Sequence, residues 1–147
     1  MKKTLMVAVI GALVAGGATL ALAQADVIKQ RQENRKETAA AMRSIKGVID
    51  SKGDVKSIVA VAAKMKTLEN AFDKMFPPGS DKGDTKALPT VWSDMAGFQA
   101  ASKNADAAYD KLAVAAGSGD LAAVTAAFGD TGKACGACHT KYRAKTN

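Results

Sequence analysis

An all-α fold, an antiparallel four-helix bundle, is predicted by three observations. Apolar residues recur at steps of three and four in four separate stretches, no strand-like alternation is present, and the connections run short, long and short. The first stretch carries Ile28, Arg31, Arg35, Thr38, Met42, Ile45 and Ile49 on one seam. The second carries Ile58, Val61, Met65, Leu68, Phe72 and Met75, with Asp54 as its amino-terminal cap. The third begins near Val91 and runs through Met95, Phe98, Ala101, Ala105, Ala108, Leu112 and Ala115, with Thr90 as its expected cap. The fourth follows the break at Gly117-Ser118-Gly119-Asp120 and places Leu121, Val124, Phe128, Thr131, Cys135, Cys138 and Tyr142 on its inward seam. The longest break lies between Phe76-Pro77-Pro78-Gly79 and Leu88-Pro89, where prolines and glycines oppose regular helix and a connection must cross the end of the bundle.

The amino terminus predicts export. Met1-Lys2-Lys3 is a cationic start, Leu5 to Leu22 is apolar, and Ala21-Leu22-Ala23 is a small-x-small cleavage signal, so residues 1–23 are expected to be removed and 24–147 to form the working domain. Ala23-Gln24-Ala25 offers a second cut. Gly11, Gly16, Gly17 and Thr19 weaken the stretch as a membrane span, and no stable membrane insertion is expected after cleavage. The 124 residues left are enough for one domain with one core. They hold 19 basic and 14 acidic residues, a formal charge of +5 against +7 for the whole chain. The basic residues are scattered without an Arg-rich run, which argues for a solubilising surface and against nucleic acid as a partner.

The chain's only two cysteines and its only histidine stand together as Cys135-Gly136-Ala137-Cys138-His139. Two thiols one helical turn apart, followed at once by an imidazole, suit covalent attachment of one haem c: each thiol adds to a vinyl group and the histidine turns to the iron. Three other chemistries use similar residues. A redox dithiol usually opens a helix in a βαβ context, whereas this pair sits near the end of an Ala-rich helical pattern. Zinc would have to recruit a carboxylate or water to complete its ligands. A disulfide would close only a trivial loop.

Phe128-Gly129-Asp130 through Lys133, the Cys-x-x-Cys-His run, and Lys141-Tyr142-Arg143 together resemble the cytochrome c′ family and its low-spin relatives, the class II c-type cytochromes. Phe76-Pro77-Pro78-Gly79-Ser80, Lys86-Ala87-Leu88-Pro89 and Val91-Trp92 resemble the family's middle loop and third-helix start, and Arg31-Gln32 its first-helix pair. The resemblance spans the mature chain and implies a four-helix bundle. It implies that Cys135 and Cys138 hold the haem, that His139 is the proximal iron ligand, and that Arg31 and Gln32 lie beside the porphyrin edge. Arg31 then pairs a propionate, and Arg143, one turn after His139, tunes the imidazole or else complements the helix dipole.

One position departs from the family. Four residues beyond Arg31, where relatives carry a ligating methionine or an apolar residue crowding the distal side, this chain has Arg35. A guanidinium stays protonated and is a very poor iron ligand. Arg35 therefore reaches a propionate, or donates to a bound diatomic ligand, or marks a shifted helix in which another residue meets the iron. Met42 is the candidate in the last case, although it lies two turns and about 10 Å farther along the stripe. On an inward seam Arg35 needs a propionate, an acidic partner or water.

Two functions remain open on this reading: electron transfer with transient redox partners, and binding of diatomic gases such as nitric oxide or carbon monoxide at a five-coordinate iron. An enzyme is not expected, since no second histidine, paired acid and base or substrate motif is present. The resemblance further implies a bacterial periplasmic protein and a homodimer through the first two helices, for which Ala41, Val48, Val55, Val59 and Ala62 are the candidate outer face. Trp92, Phe72, Phe98 and Phe128 read as core or haem-wall aromatics.

Overall fold

The computed structural model describes residues 10–145, with side chains from Gln24 onward. Within the expected export segment, residues 1–9 lie outside the described residues, and only the helical backbone of 10–23 is described. Helix α1 spans Ile10–Asp50, α2 spans Ile58–Phe72 after a 3-10 turn at Val55–Ser57, α3 is the single turn Thr90–Ser93, α4 spans Met95–Ser118 and α5 spans Leu121–Tyr142. The bundle consists of α1, α2, α4 and α5. Helix α4 packs against α5 and α2, and α2 against α1, while α1 meets α5 less closely.

Local chemistry sets the ends of these helices. Asp54 accepts from the Lys56 N–H and opens the 3-10 turn, and Asp120 accepts from the Ala122 and Ala123 N–H groups at the start of α5. Gly119, at φ 78°, ends α4 in the left-handed region where glycine costs least. The expected cap at Thr90 is corrected. Asp94, at φ −133° and ψ 53°, breaks the chain after α3 and caps α4 by accepting from the Gly97 N–H, while the Thr90 hydroxyl donates to the Lys141 carbonyl across the bundle.

Two apolar clusters hold the bundle. The first joins Ile45, Val55, Ile58, Met65, Tyr109, Leu112 and Val124. Complete burial of Ile45 and Ile58 contributes about 1.5–3 kcal/mol per side chain. The second is aromatic: Phe76, Val91, Phe98 and Tyr142 are buried, with Phe72, Trp92, Met95 and Cys138 packed against them. Between the clusters, the helices present polar groups to the interior. Asn34 and Thr38 on α1, Glu69 on α2, Ser102 on α4 and Thr131 on α5 are all buried.

The expected outer face of the first two helices is also corrected. Ala41, Val55 and Ala62 are buried core residues, Val48 is half-buried against them, and Val59 alone is exposed. The expected seams hold at Ile28, Arg31, Thr38 and Ile45 on α1 and at Ile58 and Met65 on α2, all buried, but each inward face is wider by one flanking row. Asn34 and Ala41 go inside where Arg35 and Met42 are only half-buried, and Glu69 goes inside where Leu68 is half-buried.

Candidate haem site

The carboxyl half of α5 places Cys135, Cys138 and His139 one turn apart, all half-buried. Both cysteines are free thiols. Burial pushes the Cys138 thiol up to about 11 and moves Cys135 in the same direction. A redox dithiol needs the opposite shift, so these thiols are poor nucleophiles toward disulfides. Burial, followed by the cations of Arg143 and Arg35, holds the His139 imidazole below its ordinary value and favours the neutral form that binds a metal. Among the described residues no group of three or more His, Cys, Asp or Glu has the arrangement of a metal site, which leaves the imidazole and thiols without the partners zinc requires.

The end of α5 is clamped. The Leu88 N–H donates to the Tyr142 carbonyl at 3.0 Å and the Ala144 N–H to the Lys86 carbonyl at 2.8 Å, forming an antiparallel bridge between Ala87 and Arg143. Asp94 accepts from the Tyr142 hydroxyl at 2.9 Å and from Lys141 Nζ at 2.6 Å. The middle loop and the α4 cap thus fix the helical turn that carries His139. Arg143 itself is exposed, and its N–H donates to the His139 carbonyl at 3.1 Å.

Arg31 and Arg35 diverge. Arg31 is buried, its Nη2 donates to the Ser80 carbonyl at 2.6 Å, and its guanidinium lies 4.7 Å from the Phe76 ring centroid and 5.6 Å from that of Trp92. Its Nε and Nη1 are buried with no partner among the described residues. An ionised fork with two unsatisfied nitrogens is expensive unless an anion completes it, and a propionate has the matching charge and two oxygens. Desolvation by burial lowers the Arg31 pKa, consistent with that incomplete pairing. Gln32 is exposed and donates to the Asp84 carbonyl at 2.9 Å, tying α1 to the middle loop.

Arg35 has found the acidic partner that its seam position demanded. Its Nη1 donates to Glu69 Oε2 at 2.8 Å, and its Nε and Nη2 donate to Asn34 Oδ1 at 3.0 and 2.6 Å. The guanidinium lies 3.6 Å from the centroid of the Phe72 ring. Ser102 donates to Glu69 Oε1 at 3.0 Å, so the carboxylate is held from two helices. Met42, the alternative ligand, packs instead against the first apolar cluster. Sequence reasoning did not find Glu69, Asn34 or Ser102. The signal for Glu69 was its step of four from Met65, which puts it on the α2 stripe despite its charge.

The unpaired thiols, the neutral imidazole and the incomplete Arg31 fork fit a covalently bound haem. The family described as Cytochrome C′ matches residues 26–143. A cytochrome c′ from Rubrivivax gelatinosus is 42% identical over 127 residues, covering 82% of this chain and 95% of that one. Among solved structures, a nitric oxide complex of a leucine-to-alanine variant of cytochrome c prime from Alcaligenes xylosoxidans is 34% identical with a TM-score of 0.75, covering 84% of this chain and 97% of that one. A cytochrome c′ described as having ligand-controlled dimer dissociation is 31% identical with a TM-score of 0.77, covering 83% and 97%. The chain therefore belongs to the cytochrome c′ family, four-helix bundles that carry a covalently attached haem c.

Proposed function

We propose that this chain is an exported haem protein of the bacterial periplasm that binds small diatomic ligands such as nitric oxide or carbon monoxide at the iron face opposite His139. In this reading residues 1–23 are the removed signal and 24–147 the working domain. Cys135 and Cys138 form the thioethers, His139 is the proximal ligand and Arg31 takes a propionate. Bound haem supplies an iron that cycles between ferric and ferrous states and accepts a further ligand.

One observation carries the reading. The side chain at the position where a relative's methionine would ligate is Arg35, and it is engaged with Glu69 and Asn34. A guanidinium offers no lone pair to iron, and His139 is the chain's only histidine. The nitric oxide complex of the Alcaligenes relative supports the same class of ligand.

Electron transfer is the second reading, favoured by the half-exposure of Cys135, Cys138 and His139, which leaves a haem edge within reach of a transient partner. Carbon monoxide separates the two. The ferrous protein is expected to bind the gas with a shifted visible spectrum, and a spectrum indifferent to saturating gas would leave electron transfer alone.

A further inference from the structure

The polar layer between the apolar clusters places a charged pair beside the haem-bearing turn of α5. Arg35 stacks on Phe72, and Phe72 belongs to the aromatic cluster that receives Cys138. The Arg35–Glu69 pair is thus a charged pair that α1 and α2 place against that cluster.

The pair is rigid and incompletely used. Stacking on Phe72, the double contact with Asn34 and the Ser102 bond to Glu69 fix the guanidinium, and Asn34 is itself anchored by donating to the Leu68 carbonyl at 2.9 Å. A guanidinium has five N–H donors. Three are engaged here, which leaves one on each terminal nitrogen without an acceptor among the described residues. The Arg35 side chain keeps 30% of its exposure while that of Glu69 keeps 7%, so Arg35 is the accessible member of the pair. Such fixed donors stabilise a charged acceptor without reorganising first.

We propose that the Arg35–Glu69 pair selects ligands at this haem: its two free N–H groups hydrogen-bond small inorganic anions bound to ferric iron, favouring them over carbon monoxide. This rests on the open iron position proposed above. Carbon monoxide is a weak acceptor and gains little from a donor, whereas a bound anion gains a charge-assisted hydrogen bond. The apolar residue usual in the family would supply none.

Fluoride is the probe. The ferric holoprotein is titrated with fluoride and the ferrous protein with carbon monoxide, in the native chain, in Arg35→Ala and in Arg35→Ala/Glu69→Gln. The double variant removes both charges and guards against misfolding caused by a buried, unpaired Glu69. Fluoride affinity is expected to fall about tenfold or more in both variants without a parallel loss for carbon monoxide. The ferric–fluoride charge-transfer band is expected to move to shorter wavelength as the donor is lost. Fluoride affinity within about twofold of native, or equal losses for both ligands, would overturn the proposal while leaving the open position standing. A native protein that binds neither ligand would overturn both.

Discussion

At the residue scale, the site is a contest between burial and charge, and each charged group is decided by what lies within hydrogen-bond reach. Arg35 is neutralised by Glu69, whereas Arg31 keeps two buried nitrogens without a partner among the described residues. The first is therefore stable as it stands, and the second is left for an anion to complete. Met42 plays neither part, since it fills space against the first cluster. Met42→Leu is expected to leave the visible spectrum unchanged and to cost less than about 1.5 kcal/mol in thermal unfolding. Loss of spectral bands in that variant would place Met42 on the iron. The Cys-x-x-Cys-His run, Arg31 and Arg35 were legible in sequence because their chemistry is unusual or their spacing regular. Glu69 was not, because a glutamate on a stripe reads as solvated until its partners on α1 and α4 are brought beside it by packing.

At the element scale, the turn of α5 that bears His139 is held by the start of α4 rather than by α5 alone. Asp94 serves as amino-terminal cap, as acceptor for Tyr142 and as partner of Lys141. A Cβ at Gly97 would collide with the Asp94 carboxylate and the Tyr142 hydroxyl, so this glycine permits the junction. The hydrogen bonds from Lys141 and Tyr142 hold the Asp94 carboxyl below its ordinary value. With the folded-state pKa depressed, the contribution is fully present above the unfolded value and is lost as pH falls through the folded one. Asp94→Asn is thus expected to lower Tm by a few degrees at pH 7, with the gap to the native chain closing in acid. A gap that is constant with pH would assign the loss to capping alone. The break at Asp94 was hidden in sequence, because Thr90 after Pro89 offered an equally good cap. Only the cross-bundle bond from Thr90 to the Lys141 carbonyl decides between them.

At the scale of the whole molecule, the four apolar stripes were enough to predict the bundle, and the long Pro-rich connection was enough to place the crossing. The burial of Ala41 and Ala62 beside the expected seams was not readable, since an alanine suits a tight helix contact as well as a surface. Their burial removes most of the outer apolar stripe from which a dimer was expected. Among the described residues no helix is long and apolar enough to cross a membrane. The architecture then reads as two apolar clusters separated by a polar layer, with the Cys-x-x-Cys-His turn of α5 packed against the second cluster and the Arg35–Glu69 pair joining α1 to α2.

The central claim is that the haem iron takes one protein ligand, His139, and leaves its other axial position open beside Arg35. Resonance Raman spectroscopy of the ferric mature holoprotein reads coordination and spin state directly. Five-coordinate, high-spin haem is the predicted result, and a six-coordinate, low-spin spectrum, which would require a second protein ligand, would contradict the account.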